Sequence, residues 1–217
     1  VPDAPARPLT KRAIAAELTR RKLLDTALDL YSRHKFTEVT IRDIAGAAGV
    51  AHGLLSHHFG GKEGLYQAAL AEVGQQLIAT RETNPDDPAR EQLRTMLRAH
   101  LGYLEDNRAL SIHLILPRNT AGPDSADAFD EIRMTGLRVI CELLDIDGDN
   151  AAIQLTLRSF SIAADDLILQ WLTDRPGFGA DALTEAIIAM LAGALNGAAD
   201  LDPALRLDHL DGVLRAQ

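Results

Sequence analysis

The sequence predicts an all-α protein in which a small N-terminal three-helix unit is joined to a larger helical bundle. Three observations carry that prediction. Aromatic residues make up only 4% of the 217 positions, Ala and Leu are abundant, and β-branched runs are few, a composition that favours helices over sheets. Apolar residues recur at threes and fours, as in Leu93, Met96, Leu97, Leu101 and Leu104, the period of one helix face. Breaks at Gly49, at NPDDP (84–88) and at DRPGFGAD (174–181) cut the pattern into helix-length pieces. The length supplies ample material for a hydrophobic core.

Residues 1–10, with three prolines and no periodicity, read as a disordered arm. The first helix should begin between Thr10 and Ala13 and end near His34, burying Leu23, Leu24, Ala27, Leu28, Leu30 and Tyr31. Next comes the most informative stretch, TIRDIAGAAGVAHGLLSHHF (40–59). Thr40 followed by Asp43 marks a helix start, since the hydroxyl can accept from an early amide and an acid suits the positive end of the helix dipole. That helix runs from Ile41 and stops at Gly49, where a left-handed turn residue fits. A second short helix then passes through Leu54 and Leu55 toward Phe59. Two short helices around a tight glycine turn are the helix-turn-helix signature, although an αα-hairpin inside a helical core has the same spacing.

Charge favours the first alternative. The net charge of −9 is unevenly spread: up to Lys62 there are ten basic and six acidic residues, giving about +4 there and about −13 in the remainder. A weakly positive head can engage phosphates while an acidic body stays clear of them. This speaks against an architectural DNA-coating protein, the alternative reading, which would want a basic body.

Taken together, RRKLLDTALDLYSRHKFTEVTIRDIAGAAGVAHGLLSHHFGGKEGLYQAAL resembles the N-terminal DNA-binding domain of the TetR family of transcriptional regulators. The resemblance covers about the first third of the chain. It implies a DNA-binding domain over 11–62, a ligand-binding and dimerisation domain over 63–217, and a ligand-responsive repressor that binds a near-palindromic double-stranded DNA operator as a homodimer and is released by a small-molecule effector. The family pattern Ser-x-Gly-Thr-x-Tyr-x-x-Phe falls on 51–59, where Gly53 and Phe59 fit and Ala51, Leu54 and Ser56 depart from it. Lys35 also stands where the family usually has glycine, so a left-handed residue there would be strained.

The candidate DNA contacts are Thr40, Arg42, His52, Gly53, Leu54, Ser56, His57 and Lys62. Lys62 opens a helix, so its ammonium and the exposed amides can act on one phosphate. Leu54 suits a thymine methyl, and Ser56 and His57 suit bases or phosphates. His58 and Phe59 read as packing residues. His52, His57 and His58 do not form a metal site, because their spacing converges poorly and no cysteine or acid completes the set.

In the remainder, helices are expected over about 62–82, 89–106, 109–116, 126–144, 151–172 and 182–198, with a loop at 118–127 and a terminal amphipathic helix over 203–214. Ile153, Leu157, Phe160, Ala164, Ile168 and Trp171 form a seam that, with the helix at 182–198, could pair with a second copy as a four-helix bundle; an ordinary internal core has the same periodicity. Polar or bulky residues within apolar helices, His100, Tyr103, His113, Phe129, Met134, Arg158, Phe160 and Asp165, are the candidate effector pocket. Asp165 and Asp166 could meet a cationic ligand, an arginine across the dimer, or solvent. No apolar run is expected to cross a bilayer, the opening residues lack a secretory apolar region, and Cys141 is the sole cysteine, so a cytoplasmic protein is expected. No nucleophile elbow, metal-ligand pattern or Gly-rich phosphate loop is visible, hence no enzyme and no cofactor.

Overall fold

Among the described residues the fold comprises ten α-helices, two short 3-10 turns and one π-helix, with no strand. The computed structural model describes residues 10–79, 83–116, 123–175 and 177–214, with only the backbone at 123–130, 132 and 211. The expected arm therefore lies outside the described residues except for Thr10, which belongs to the first helix: its hydroxyl accepts from Ala13 N–H at 3.2 Å and caps α1 (Lys11–Arg33).

After α1 a 3-10 turn (Phe36–Glu38) leads into α2 (Ile41–Ala47) and α3 (His52–Phe59). Lys35 is extended, with φ −65° and ψ 151°, so the strain expected of a left-handed residue there does not arise; the chain leaves α1 through an extended His34 instead. The α2 start is a full capping box: Asp43 N–H donates to Thr40 Oγ1 (3.2 Å) and Thr40 N–H donates to Asp43 Oδ2 (2.9 Å). Those bonds from Thr40 lower the Asp43 pKa.

Helix α4 (Lys62–Ala79) packs against α1 and α3 at one end and against α7. Leu23, Ala27, Tyr31, Leu55, Leu65 and Tyr66 are almost fully excluded from solvent between these helices. Tyr31 meets Tyr66 edge-on at 5.4 Å between ring centroids. The head is thus built around α1 and α4, with α2 and α3 laid across them.

Helix α5 (Ala89–Asp106) follows the Pro85–Pro88 break with the expected bounds. The expected 109–116 helix is instead a turn of α6 (Arg108–Leu110) continued as a π-helix (Ser111–Ile115). Its widened ladder is accompanied by the buried Ser111 hydroxyl, which donates toward the Leu104 and Asn107 carbonyls (2.9 and 3.1 Å). The loop expected over 118–127 is corrected from Pro123 onward, where α7 (Pro123–Leu143) begins; a proline at a helix start gives up only an amide with no intrahelical partner. Residues 118–122 lie outside the described residues.

Helices α8 (Ala151–Asp174) and α9 (Ala180–Leu201) pack along each other, and α5 covers α9 from the other side. Asn150 caps α8 by accepting from Ala152 and Ile153 N–H, and its amide donates to Asp202 Oδ2 at 2.9 Å. Across α5 and α9, Arg90 and Arg94 both bond Glu185 at 2.7 Å, and Arg98 meets Asp181 at 2.8 Å. The terminal helix expected over 203–214 is broken into a 3-10 turn (Asp208–Leu210) and α10 (Asp211–Leu214), because Asp202 and Pro203 open a turn. It packs back as expected, with Leu210 and Leu214 buried.

Two further expectations are corrected. Helix α9 is long and apolar enough, by length and composition, to cross a membrane, yet less than half of its most apolar window is buried within the chain. The seam Ile153, Leu157, Phe160, Ala164, Ile168 and Trp171 is consumed inside one chain, each residue under a tenth exposed, and is not left over for a partner.

Candidate functional site

Helix α3 is set by one glycine on each side of it. Gly49, with φ +60°, makes the left-handed turn that lets α3 fold back on α2. Gly64, in the first turns of α4, meets the chain as it leaves α3: a Cβ there would stand 1.9 Å from the Phe59 carbonyl oxygen. Only glycine permits that approach, and it was not singled out in the sequence because GGKEG reads as an ordinary loop-to-helix junction.

Leu55 alone on α3 is buried, at 0% exposure. His52, Gly53, Ser56 and His57 are exposed and Leu54 is half-buried, so the side chains expected to read DNA lie on the solvent side. His57 and His58 stack edge-on at 5.3 Å, and the Arg20 guanidinium lies 5.2 Å from the Phe59 ring centroid, which ties α3 back to α1. Thr40 and Arg42 are exposed at the start of α2. Lys22, absent from the expected set, places its Nζ 3.8 Å from where a Cβ on Gly49 would stand, bringing a cation to the turn.

Lys62 is half-buried, with Nζ 4.0 Å from the Phe36 ring centroid. Burial lowers its pKa, partly opposed by Glu63. Its ammonium is thus engaged with an aromatic face in the free protein. Among the described residues no group of three or more His, Cys, Asp or Glu is placed to hold a metal ion.

In the body, α4, α5, α7 and α8 line a half-open pocket with about 150 Å³ of internal space. Its wall is mostly aliphatic: Leu70, Val73 and Leu77 from α4, Met96 from α5, Leu137 and Ile140 from α7. His100, Phe160 and Asp165 of the expected pocket line it; Tyr103, His113, Met134 and Arg158 stand outside the wall, and the Phe129 side chain lies outside the described residues. Tyr103 instead donates its hydroxyl to Gln76 Oε1 at 2.8 Å, joining α5 to α4, with its pKa raised by burial. Ile115 and Leu116, at the end of the π-helix, complete the apolar wall.

Asp165 does not wait for an arginine from a partner. Arg133 of the same chain donates from Nε to its Oδ2 at 2.5 Å, and the two side chains are only 14% and 20% exposed. Asp166 is exposed and accepts from Gln170 at 2.7 Å. Arg133 is the lining residue that sequence reasoning missed, since nothing local distinguishes one arginine on α7 from a solvated one.

A helix-turn-helix head with an exposed second helix, carried on a helical body with a half-open, mostly apolar pocket, defines a two-part helix-turn-helix protein. A family model described as "Bacterial regulatory proteins, tetR family" matches residues 23–69. A solved tetR-family transcriptional regulator from Streptomyces coelicolor is similar over 92% of this chain and 87% of its own, with a TM-score of 0.71 and 26% identity. Residues 23–69 are thus a DNA-binding domain of the TetR type, and the chain as a whole is similar to a solved TetR-family transcriptional regulator.

Among curated relatives, the HTH-type transcriptional regulator BetI 1 of Chromohalobacter salexigens is 29% identical over 96 residues, 43% of this chain and 48% of the relative. BetI of Klebsiella pneumoniae is 32% identical over 84 residues, 37% of this chain and 43% of the relative. The chain spans under half the length of these curated relatives it matches. A structure of FadR from Bacillus subtilis in complex with stearoyl-CoA shares the fold, with a TM-score of 0.60 at 18% identity over 82% of this chain and 98% of that one.

Proposed function

We propose that this chain is a ligand-responsive repressor that binds a near-palindromic DNA operator as a homodimer and is released by a small-molecule effector. The observation that carries the reading is the two-sidedness of α3: Leu55 is its only buried residue while His52, Gly53, Ser56 and His57 face solvent. A helix held from behind and displayed in front is what a major groove requires. Thr40, Arg42 and Lys62 serve as phosphate contacts, Leu54, Ser56 and His57 as base contacts. The DNA-binding part is 11–62 and the effector and dimer part is 63–217.

The dimer is proposed through α8 and α9, on the faces turned away from the internal core. On α9 these are small residues at alternating threes and fours, Ala182, Ala186, Ala189, Gly193 and Asn196, all exposed. Leu155 on α8 is 60% exposed and Leu201 at the end of α9 61%. A helix as apolar as α9, under half buried in one chain, supports burial against a symmetry mate. That a FadR structure of the same fold is in complex with stearoyl-CoA supports a small-molecule effector for this chain, without its identity.

The test is a footprint of the purified protein on DNA flanking its own coding sequence. A protected near-palindrome is the expected result. Diffuse protection would favour a sequence-indifferent architectural role, and no protection would remove the DNA-binding reading.

A further inference from the structure

The cations of the head are not equally available to DNA. On α1, Arg20 meets Glu17 at 3.8 Å, Arg21 meets Asp25 and Glu72 at 2.9 and 3.0 Å, and Arg33 is bonded to Asp29. Lys62 rests on the Phe36 ring. Lys22 is exposed and has no ion pair among the described residues. Resting on the reading that α3 is displayed to a duplex, we propose that Lys22 is a further phosphate contact, one that holds the strand beside the α2–α3 turn and fixes how α3 is seated without reading sequence.

The turn itself makes room for the charge. Lys22 Nζ lies 3.8 Å from the point where a Cβ on Gly49 would stand, and Gly49 is exposed and left-handed. The residue that reverses the chain thus also leaves the space above the turn to the ammonium. From Ile44 to Gly61 the sequence holds no Asp or Glu, so no carboxylate of that segment competes for it. The stem rises from a fixed point, because Leu23 and Leu24 beside it are 0% and 2% exposed.

Three residues past Gly49, α3 begins with His52 and Gly53, both exposed. The major groove is about 12 Å wide, so a helix seated in it by its exposed side has phosphates on both flanks. A cation held over the turn at the start of that helix stands against one flank. An ammonium is a compact charge with three donors and no planar match to a base edge, and phosphate contacts position a protein without carrying sequence information. Lys22 would therefore tie α1 to the strand and set the register of α3.

The test compares the purified full chain with Lys22→Gln, Lys22→Arg and Arg206→Gln by fluorescence anisotropy over a series of salt concentrations. Two duplexes of equal length serve as probes, the footprinted one and one of scrambled sequence. A single phosphate contact scales as salt to the power of about −0.9, so relative to about 1 M salt it contributes about fivefold in affinity at about 0.15 M. Lys22→Gln should weaken binding to both duplexes by about that factor, leave their ratio unchanged and reduce the slope of log K against log salt by about 0.9. Lys22→Arg keeps the charge and should restore affinity and slope. Arg206→Gln removes the same charge from an exposed site of the body and should leave the slope in place.

The melting temperature of Lys22→Gln should stay within about 2 °C of the unaltered chain, as for other exposed substitutions; a larger fall would make Lys22 a structural residue and overturn the proposal. An unchanged slope in Lys22→Gln, a loss on the footprinted duplex alone, or an equal loss in Arg206→Gln overturns it too. In each of those results the unaltered chain still binds DNA, so the DNA-binding reading stands. If the unaltered chain binds no duplex, that reading falls and the role of Lys22 falls with it.

Discussion

Leu55 and His57 stand two residues apart on one eight-residue helix, and replacing each by alanine should do opposite things. Leu55 is 0% exposed, so Leu55→Ala loses the transfer free energy of its branched end and leaves a cavity, about 2–5 kcal/mol in all. For a chain of this length each kcal/mol moves the melting temperature by roughly 2–4 °C. The expected fall is therefore about 4–20 °C. His57 is exposed, and exposed substitutions stay within about 0.5 kcal/mol, or about 2 °C at most. A side chain in contact with a base contributes about 1–3 kcal/mol of discrimination, so His57→Ala should weaken operator binding by roughly 5- to 150-fold without softening the fold. Calorimetry gives the first quantity and fluorescence anisotropy on the footprinted duplex, at one salt concentration, the second. A melting loss in His57→Ala equal to that of Leu55→Ala would falsify the assignment of the two faces, and unchanged operator affinity in a well-folded His57→Ala would remove His57 from the interface.

Lys62→Ala should weaken binding to every DNA sequence and reduce the slope of log K against log salt by about 0.9; an unchanged slope would confine the ammonium to its contact over Phe36. Gly64→Ala drives a Cβ to 1.9 Å from the Phe59 carbonyl, so amide exchange should show α3 and the start of α4 opening while α8 and α9 stay protected; uniform protection would refute the close approach. Glu185 has its pKa lowered, first by the hydrogen bond from Arg94. Its contribution is thus fully present above the unfolded glutamate pKa of about 4.3 and fades as pH falls through the lower folded value. Glu185→Gln should therefore lower stability at pH 7, and the gap to the unaltered protein should close in acid. A gap that widens in acid would reverse the sign. Gly193→Arg, at an α9 site with nothing within 4 Å of an added Cβ, should yield a folded monomer by sedimentation; an unchanged association state would exclude that face as the dimer contact.

The head was legible because its signals are local. Thr40 and Asp43 bond one another three residues apart, Gly49 needs a backbone conformation that few other residues tolerate, and Leu55 falls between exposed neighbours. Gly64 was not legible, since what it avoids is the Phe59 carbonyl five residues back, and that clash exists only once the α3–α4 corner is formed. In the body, periodicity located α5 and α8 well but could not say what each apolar face meets. The α8 seam is the clearest case: the same three-and-four spacing serves an internal core and a dimer, and here it is the internal core. Choosing polar or bulky residues found His100, Phe160 and Asp165, but most of the wall is plain Leu, Val and Ile, which no pattern separates from core. Arg133 gains its meaning from Asp165, thirty-two residues away.

Coupling between body and head has few physical routes, and they are unequal. Leu65 and Tyr66 near the start of α4 are locked in the head, whereas Leu70, Val73 and Leu77 farther along the same helix face the cavity. A rigid helix shared in this way cannot be displaced at one end without turning the other. The second route is the π-helix, which packs on α1 while its end supplies Ile115 and Leu116 to the cavity wall. By contrast, the polar links between α1 and α4, such as Arg21 to Glu72 at 3.0 Å, are partly exposed, and pairs open to solvent contribute about 0–1 kcal/mol. They can break and re-form at little cost, so they cannot hold the head against a push from within. A tenfold loss of operator affinity requires only about 1.4 kcal/mol of difference between the ligand's affinities for the two arrangements. That is less than the burial of one aliphatic side chain, so a change in how α4 seats against a filled cavity is energetically sufficient.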